Sequence, residues 1–237
     1  MTQVLPGSAH FGLIRVALGR VLYWRYKLFL KRKHAGAVLE QVAGTRLLVM
    51  PGVLNPRLMR TGAFFASQLD SKLLARDADV LDMGAGSGVC SIVAAKFARH
   101  VVAVDINPEA VRCTRINTLL NRVEDTVEVL HGDLFEPVAG RRFDVVLFNP
   151  PFLRREPRDD ADRAWASTDV AERFAAALQA HLKPGGAALM LLSTFGDANM
   201  FLDELRQRGF TISVLAGREF VNEKLAVFKI LPTQRLS

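Results

Sequence analysis

The sequence predicts an α/β protein with a doubly wound, seven-stranded and mostly parallel sheet. Two observations support this fold class. Short apolar runs alternate with helix-like segments along most of the chain, a pattern typical of βαβ crossovers. Only residues 217–223 separate the last two apolar runs, which leaves no room for a crossover helix and predicts an antiparallel hairpin. A chain of 237 residues is long enough for one sizeable domain of this kind.

The individual elements follow from these runs and from the turn residues that bound them. Strands are predicted where apolar, often β-branched runs end on polar residues, at 79–83, 100–105, 126–131, 143–148, 186–193, 210–216 and 224–231. Helices are predicted in the longer mixed segments, at 62–74, 90–98, 108–120, 168–182 and 197–208. Ahead of them, residues 45–58 (TRLLVMPGVLNPRL) indicate a short strand and a Pro/Gly-rich loop. We therefore expect residues 1–50 to be a helical N-terminal extension and residues 51–237 to be the main domain.

The positive charge of the chain is concentrated in this N-terminal extension. Residues 1–39 contain no Asp or Glu, and their seven cations equal the net charge of +7: Arg15, Arg20, Arg25, Lys27, Lys31, Arg32 and Lys33. Tyr23, Trp24 and Tyr26 lie in the same segment, so a basic and aromatic helix is expected at about residues 11–33. This helix could pack on the domain, contact RNA or a ribosome through phosphates, or lie on a membrane surface. The cations do not form one stripe on a helical wheel, which weakens the membrane interpretation.

Signals for membrane insertion, secretion and metal binding are absent from the sequence. Cations interrupt every apolar run of the N-terminal segment, so no transmembrane span is expected there. No small-residue cleavage site follows an uncharged core, so the predicted location is cytoplasmic. Cys90 and Cys113 cannot form a disulfide framework and lack the spacing of metal ligands. Both are expected to be small buried residues of helices, and no metal site is predicted.

The run VLDMGAGSGVC, residues 80–90, is the most informative part of the sequence. An apolar strand ends on Asp82, three glycines follow at alternate positions, and a helix-like segment begins. Glycines let the backbone approach a ligand closely, and the first turn of the helix offers its N–H groups to that ligand. The spacing G-x-G-x-G differs from the G-x-G-x-x-G fingerprint of dinucleotide sites. The residues predicted to lie against the ligand are Gly84, Ala85, Gly86 and Gly88.

Four consecutive predicted strands each deliver a polar side chain at or near the carboxyl end. These side chains are Asp82, Asp105, Asp133 and Asn149. In open α/β sheets, ligands bind outside the carboxyl ends of the strands. An acid at the tip of the second strand, such as Asp105, can accept two hydrogen bonds from a ribose diol. The four positions together therefore predict one nucleotide-like ligand site.

The motifs DMGAGSG, VVAVDINPEAV, HGDLF and FNPPF resemble those of class I S-adenosylmethionine (SAM) dependent methyltransferases, which have a Rossmann-like sheet. The resemblance covers roughly residues 78–193. It implies an enzyme whose cofactor is SAM, with Asp82 and the glycine turn at the methionine end and the sulfonium. It also implies that Asp105, with the adjoining Ile106, lies at the ribose. Asp133 and Leu134 would flank the adenine.

Residues 149–152 (NPPF) are similar to the Asn-Pro-Pro-aromatic motif of the methyltransferases that act on nitrogen. This branch includes HemK-like protein glutamine methyltransferases and several nucleobase N-methyltransferases, and DINPEAVRCTRINTLLN looks closest to the HemK-related enzymes. An amide nitrogen is a poor nucleophile because its lone pair is delocalised, so a site must hold its two N–H groups. The Asn149 oxygen and the Pro150 carbonyl, directed by the restricted backbone around Pro150 and Pro151, could each accept one. Phe152 could stack on the planar acceptor.

The chain departs from the HemK-like pattern in one motif, and its methyl acceptor stays open. HemK-like enzymes usually carry an acid in a Pro-containing motif ahead of the first strand, whereas NPRLMRTGAFFA has Pro56, Arg60 and Thr61 but no acid. Three acceptors are compatible with the sequence: a protein glutamine or similar amide, a small molecule, or an RNA nucleobase. For a small molecule, the N-terminal helix and the charged segment 153–168, which contains Trp165, would form a lid. A nucleic-acid-binding module with vestigial SAM binding is disfavoured by the intact acids.

Overall fold

A computed structural model describes residues 36–158, 166–194, 196–220 and 223–233. Its strands are β1 (Val38–Val42), β2 (Thr45–Val49), β3 (Asp79–Met83), β4 (His100–Asp105), β5 (Val127–His131), β6 (Phe143–Phe148), β7 (Leu153–Arg154), β8 (Ala166–Ser167), β9 (Leu182–Ser193), β10 (Phe210–Glu219) and β11 (Lys224–Pro232). Its α-helices are α1 (Pro56–Met59), α2 (Thr61–Ala66), α3 (Val89–Ala94), α4 (Pro108–Asn121), α5 (Val170–Leu178) and α6 (Ala198–Gln207). The predicted basic helix at about residues 11–33 lies outside the described residues.

Seven of these strands form one sheet in the order β10-β11-β9-β6-β3-β4-β5. Strands β9, β6, β3, β4 and β5 run parallel, and β11 pairs antiparallel with both β9 and β10. The predicted fold class is therefore confirmed. Strands β6, β3, β4 and β5 are consecutive in the sheet, so the side chains at their carboxyl ends lie along one edge. We call this edge, with Asn149, Asp82, Asp105 and Asp133, the carboxyl edge.

Helices cover both faces of the sheet. On one face, Val80 and Val145 share a core with α2, α3, α4 and the strands β1 and β2. On the other face, Leu81 and Val146 share a core with α5 and α6. The central strands are thus buried on both sides, which is why they read as nearly continuous apolar runs in the sequence.

Strands β1 and β2 form a hairpin that packs on the main domain. Ala43 and Gly44 join them, and both lie in the left-handed region at φ 49° and 71°, as a tight hairpin turn requires. Leu47 and Val49 of β2 are fully buried in the core. The strand expected within residues 45–58 is confirmed by β2, whereas β1 was not predicted. The domain boundary near residue 50 stays a prediction.

The helix predicted at residues 62–74 is wrong in its second half, because α2 ends at Ala66. The Ser67 hydroxyl donates to the Phe64 carbonyl at 2.7 Å, a local bond that competes with continuation of a helix. The side chain of Asp70 then accepts hydrogen bonds from the N–H groups of Lys72 and Leu73 and forms a turn. Polar side chains that bind nearby backbone therefore end the helix early.

The helix predicted at residues 168–182 is also shorter than expected. Helix α5 ends at Leu178, a 3-10 turn spans Gln179–His181, and β9 begins at Leu182 instead of residue 186. Leu182 pairs with Phe143 at the start of β6, and the register shifts beyond that pair. Pairing with β6 thus extends β9 toward the N-terminus at the expense of the helix.

Candidate active site

The turn between β3 and α3 leaves open space beside its backbone. Gly84, Gly86 and Gly88 have φ angles of 68°, 59° and 78°, in the left-handed region that favours glycine. A Cβ atom added at Gly84 or Gly86 would meet no atom closer than 3.9 Å, but one at Gly88 would lie 2.8 Å from Cγ2 of Thr114. Gly88 is therefore needed for packing against α4, whereas Gly84 and Gly86 line a space that a ligand can fill.

Backbone hydrogen bonds from β4 hold the first part of this glycine turn. The N–H groups of Gly84 and Ala85 both donate to the Val104 carbonyl, at 2.8 and 3.1 Å. The Ala85 side chain is buried in the core. The start of the turn is thus fixed before any ligand binds, which reduces the ordering cost of binding.

Helix α4 holds the second part of the turn through two side chains. The Thr114 hydroxyl donates to the Gly86 carbonyl at 3.1 Å, and the Asn117 amide donates to the Ser87 carbonyl at 2.9 Å. The fully buried Asn117 also accepts from the Leu48 N–H at 2.7 Å and donates to the Leu48 carbonyl at 2.8 Å. Asn117 therefore joins the β1–β2 hairpin to the glycine turn. It was not singled out in the sequence, where a polar residue on the apolar side of a helix was the available signal.

Asp105 lies at the end of β4 with its carboxylate directed at the glycine turn. Oδ2 accepts a hydrogen bond from the Gly86 N–H at 2.8 Å, and Oδ1 accepts one from the Asn107 N–H at 2.9 Å. Burial raises the pKa of Asp105, and these backbone hydrogen bonds oppose that rise. Each carboxylate oxygen has a second lone pair, so Asp105 can still accept from a diol. The adjoining Ile106 is held through its carbonyl, 3.0 Å from Nε2 of His131.

Asp82 is buried at the end of β3, beneath the glycine turn. Its Oδ2 accepts a hydrogen bond from the Ser91 hydroxyl at 2.5 Å. Burial raises the pKa of Asp82 to about 7, with the Ser91 hydrogen bond opposing the rise and the charge of Asp105 adding to it. The carboxyl group therefore stays protonated to a higher pH than an ordinary Asp does. A cationic ligand group nearby would favour the carboxylate, which fits a sulfonium or an ammonium.

Asp133 and Leu134 follow β5 at the far end of the carboxyl edge. Oδ2 of Asp133 accepts a hydrogen bond from the Arg173 guanidinium at 2.7 Å, which links β5 to α5. Leu134 has a left-handed φ of 47° and packs against the core on the α5 side. Arg173 was not identified from the sequence, because nothing in its neighbourhood marks it as a partner of Asp133.

Asn149 follows β6 and carries a buried oxygen that has no hydrogen-bond partner. Its Oδ1 is one of only two such side-chain atoms in the described part of the chain. A buried acceptor without a donor costs about 1–3 kcal/mol, and buried polar groups of this kind call for an explanation. A substrate N–H group would supply the missing donor. Pro150 is buried and Pro151 half-buried, so the backbone after Asn149 is held in one direction.

Phe152 ends the NPPF motif and is anchored from both sides. Its ring is partly buried and packs against the core. Its carbonyl accepts a hydrogen bond from the Asp197 N–H at 3.3 Å, and a Cβ atom at Gly196 would lie 2.2 Å from that carbonyl oxygen. The segment after β9 therefore packs tightly on the NPPF segment.

The second unpartnered oxygen lies on α5, which packs against the end of β6. Oε2 of Glu172 is buried without a partner, while Oε1 accepts from the Arg154 guanidinium at 2.9 Å. The rings of Phe148 and Phe174 stack at 4.5 Å between centroids, so α5 packs directly beneath the end of β6. Glu172 was not predicted from the sequence. Trp165 and the rest of residues 159–165 lie outside the described residues, so a lid over this region is untested.

Metal ligands and membrane spans can be assessed for the described residues only. Within those ranges, no group of three or more His, Cys, Asp or Glu side chains is placed to hold a metal ion. Cys90 and Cys113 are both buried in helices, as expected. In the same part of the chain, no helix is long and apolar enough to cross a membrane.

The fold and the site together define a class I SAM-dependent methyltransferase. Residues 46–213 match the methyltransferase small domain family, and the chain belongs to that family. Within it, the chain is HemK-like, since it resembles glutamine methyltransferases over most of the domain. The residues fit SAM on two structural grounds: the open cradle beside Gly84 and Gly86, and a buried acid whose ionisation a cation would favour.

Three relatives illustrate the range of named functions. A candidate protein N5-glutamine methyltransferase of Methanocaldococcus jannaschii is 34% identical, covering 64% of this chain and 80% of the relative. A release factor glutamine methyltransferase of Clostridium acetobutylicum is 30% identical, covering 77% and 69%. A ribosomal RNA small subunit methyltransferase C of Alcanivorax borkumensis is 34% identical, covering 64% and 43%.

A solved structure shows the same fold. It is the 16S rRNA methyltransferase RsmC of T. thermophilus, in complex with AdoMet and guanosine. Its TM-score is 0.62 at 22% identity, over 84% of this chain and 50% of that one. The present chain thus spans only about half of the length of some of its relatives.

Proposed function

We propose that this protein transfers a methyl group from SAM to the side-chain amide nitrogen of a glutamine, or a similar amide, in a protein. The observation that carries the proposal is the buried Asn149 Oδ1 without a donor, at the carboxyl edge and within an NPPF motif. The 34% identity to a candidate protein N5-glutamine methyltransferase supports the same acceptor. A primary amide offers two N–H groups, which is what an unpartnered oxygen beside a rigid carbonyl can bind.

Different residues would bind the two substrates, SAM and the amide. Asp105 and the backbone of Gly84 and Gly86 would hold SAM, which supplies an electrophilic methyl group when bound. Oδ1 of Asn149 and the Pro150 carbonyl would each accept one N–H of the amide, so that the nitrogen lone pair faces the methyl group. Methyl transfer is an in-line displacement, so most of the acceleration comes from this positioning and from exclusion of water. No base is required, because the proton can leave the nitrogen after transfer, when it is acidic.

An RNA nucleobase is the second candidate acceptor. An exocyclic amine presents the same pair of N–H groups, and one relative is named as a ribosomal RNA methyltransferase. Seven cations without an acid in residues 1–39 supply the positive charge that phosphate contacts require. A small molecule, covered by a lid as the sequence predicts, is the third candidate acceptor.

Labelled SAM distinguishes these acceptors directly. Purified protein is incubated with isotope-labelled SAM and with three separate pools: protein extract, total RNA and metabolites. We expect label in the protein pool for the wild type and little for Asn149→Ala, with the methyl group mapped to a glutamine by mass spectrometry. Label confined to RNA or to metabolites would overturn the protein acceptor in favour of the other two.

A further inference from the structure

Two arginines lie over one aromatic ring at the end of the β10–β11 hairpin. Cζ of Arg60 is 4.9 Å from the centroid of the Phe220 ring, and Cζ of Arg218 is 5.1 Å from it. We call these two residues the arginine pair. Both are exposed, whereas Phe220 is partly buried against the core. Neither arginine forms an ion pair with a carboxylate of the described residues.

The arginine pair lies at the carboxyl edge, next to the candidate active site. The tip of the β10–β11 hairpin reaches this edge because Leu225, near the start of β11, pairs with Ser193 at the end of β9. On the other side, Arg60 directly precedes α2, whose Gly62 contacts the beginning of α3. A Cβ atom at Gly62 would lie 3.5 Å from Cγ1 of Val89. The arginine pair thus lies between the start of α2 and the hairpin tip, on the side of the sheet that holds the carboxyl ends of the parallel strands.

The ring leaves the N–H groups of both guanidiniums available to an anion. An aromatic face attracts a guanidinium and restricts its plane, while the donor edge stays exposed. Such an edge matches a carboxylate or a phosphate through two parallel hydrogen bonds. Arg60 also has a positive φ of 61°, with ψ −32°, a backbone conformation that a non-glycine residue adopts only at a cost. An exposed cation kept in that conformation supports a role in binding.

The surrounding charges favour one carboxylate over a row of phosphates. RNA affinity is built from several cations that neutralise successive phosphates. Here two acids share the hairpin end with the arginine pair. Oε1 of Glu219 pairs with Lys224 at 3.1 Å, and Oε2 of Glu223 accepts from the Ser193 hydroxyl at 2.9 Å. Among the described residues of the hairpin end, Lys224 is thus paired with an acid, and the two guanidiniums are the cationic groups placed to bind an anion.

We propose that the arginine pair binds a carboxylate side chain of the protein acceptor, close to the residue that is methylated. This proposal rests on the proposed protein acceptor and names a further feature of it: an acidic neighbour of the methylated glutamine. Arg60 and Arg218 are binding residues for that neighbour and take no part in the transfer itself.

Binding measurements test the proposal without turnover. Two fluorescent peptides with a central glutamine are compared by anisotropy against the full-length protein with S-adenosylhomocysteine, one peptide flanked by glutamates and the other by glutamines. We expect the wild type to bind the glutamate peptide more tightly than the glutamine peptide. The double variant Arg60→Gln with Arg218→Gln should lower the affinity for the glutamate peptide by about tenfold. The double variant Arg60→Lys with Arg218→Lys keeps the charge but loses the paired donors. Its affinity for the glutamate peptide should lie between those of the wild type and the double glutamine variant.

A matched control removes two positive charges elsewhere. Arg76 and Arg142 are exposed and precede β3 and β6, at the opposite edge of the sheet. Arg76→Gln with Arg142→Gln should leave peptide affinity unchanged, and an equal loss in this control would show that only net charge matters and overturn the proposal. Equal wild-type binding of the two peptides would also overturn it.

Two further outcomes assign the arginine pair to another ligand. Weaker SAM binding by calorimetry in the double glutamine variant would mean that the pair serves the carboxylate of the donor, and would overturn the proposal. Tighter binding of a single-stranded RNA oligonucleotide than of the glutamate peptide, lost in the same variant, would overturn it in favour of phosphate. The proposed function itself is tested separately, by mass spectrometry. If no methyl group were found on glutamine, the proposed function would fail, whereas the anisotropy measurement would still report whether the arginine pair binds a carboxylate.

Discussion

The Asp105 carboxylate accepts a hydrogen bond from the Gly86 N–H, at 2.8 Å between Oδ2 and the nitrogen, and so joins the end of β4 to the glycine turn. The resemblance to SAM enzymes implies that Asp105 binds ribose hydroxyls, but this contact gives it a second role. The same carboxylate orients the backbone of the turn that would lie against the rest of the cofactor. Loss of Asp105 should therefore affect SAM binding through two routes.

Asp105→Asn is expected to lower the affinity for SAM by about tenfold or more, because one acceptor oxygen becomes a donor and the diol loses a charge-assisted partner. Asp105→Ala should weaken it further, since the Gly86 N–H then loses its partner as well. Isothermal titration calorimetry measures both affinities. The exposed Asp77, ahead of β3, supplies the control Asp77→Asn. Unchanged SAM affinity in Asp105→Ala would contradict the ribose assignment.

Gly86→Ala and Gly44→Ala separate backbone strain from ligand contact. Both glycines have a left-handed φ, 59° and 71°, and a Cβ atom at either would meet nothing closer than 3.9 Å. Each substitution should cost about 1 kcal/mol of unfolding free energy. Of the two alanine variants, only Gly86→Ala should lower the affinity for SAM, and Gly86→Val should lower it further. Urea unfolding and calorimetry measure the two effects, and equal SAM affinity in both alanine variants would argue against a cradle at Gly86.

The raised pKa of Asp82 predicts a pH dependence of stability. The pKa is about 7 in the folded protein against 3.8 for an ordinary Asp, so the folded state binds one more proton than the unfolded state between these values. The unfolding free energy contributed by Asp82 should thus fall as pH rises from about 4 to about 7, and then level off. Asp82→Asn should flatten this part of the profile. Urea unfolding at several pH values measures it, and identical slopes in wild type and variant would contradict the raised pKa.

The same ionisation predicts a pH dependence of cofactor binding. SAM carries a sulfonium and an ammonium, and a carboxylate near either favours binding. SAM affinity of the wild type should therefore rise as pH increases through about 7, with protons released on binding. Calorimetry in buffers of different ionisation enthalpy counts these protons. In Asp82→Asn the affinity should be lower at pH 8 and proton release should be smaller; unchanged release would place the linked group elsewhere.

The sequence predicted the central sheet well because its strands are buried on both faces. The apolar runs that end on Asp105 and Phe148 have the predicted bounds, 100–105 and 143–148, and their ends meet at one edge as expected. The end of α2 was harder to predict, because polar side chains there compete with the helix for backbone hydrogen bonds. Ser67 and Asp70 end α2 through bonds to neighbouring backbone, and no apolar periodicity reports such bonds.

The contacts that support the candidate site were the least predictable part. Asn117 and Arg173 reach the site from helices that are 30 and 40 residues from their partners in sequence, at distances fixed only by the tertiary fold. Ser91 is nearer, nine residues after Asp82, but its hydrogen bond to that buried carboxyl group was not predicted. The β1–β2 hairpin was missed because its strands, VLEQV and TRLLV, do not alternate apolar and polar residues, and its turn, Ala43 and Gly44, lacks the Asn-Gly or Asp-Gly pair typical of two-residue hairpin loops.

Removal of residues 1–35 tests the role of the basic N-terminal segment. If the segment contacts RNA or a ribosomal surface, truncation should weaken substrate capture, and wild-type activity should fall steeply with salt. If it is a lid over a small-molecule pocket, truncation should reduce turnover at every salt concentration, because water then enters. Activity is compared at low and high salt. Equal activity of both proteins in both conditions would exclude these two roles and leave a packing helix.

Asn149→Ala is expected to separate catalysis from both cofactor binding and stability. Loss of one well-directed hydrogen bond to the acceptor should cost about 3 kcal/mol of transition-state stabilisation, roughly a hundredfold in kcat. SAM affinity should stay nearly unchanged, because Asn149 is assigned to the acceptor nitrogen. Steady-state kinetics on the acceptor identified with labelled SAM, together with calorimetry, measure the two quantities.

The stability of Asn149→Ala provides an independent readout, because its Oδ1 is buried without a donor. Removing an unsatisfied acceptor relieves a cost of about 1–3 kcal/mol, so the unfolding free energy should not fall. Asn107→Ala is the matched control: its side chain caps α4 by accepting from the Glu109 N–H at 2.9 Å, so its loss should cost about 1 kcal/mol. A large loss of stability in Asn149→Ala would reveal a structural role for its oxygen. Full turnover of that variant would instead exclude the nitrogen-directed role and favour an oxygen or carbon acceptor.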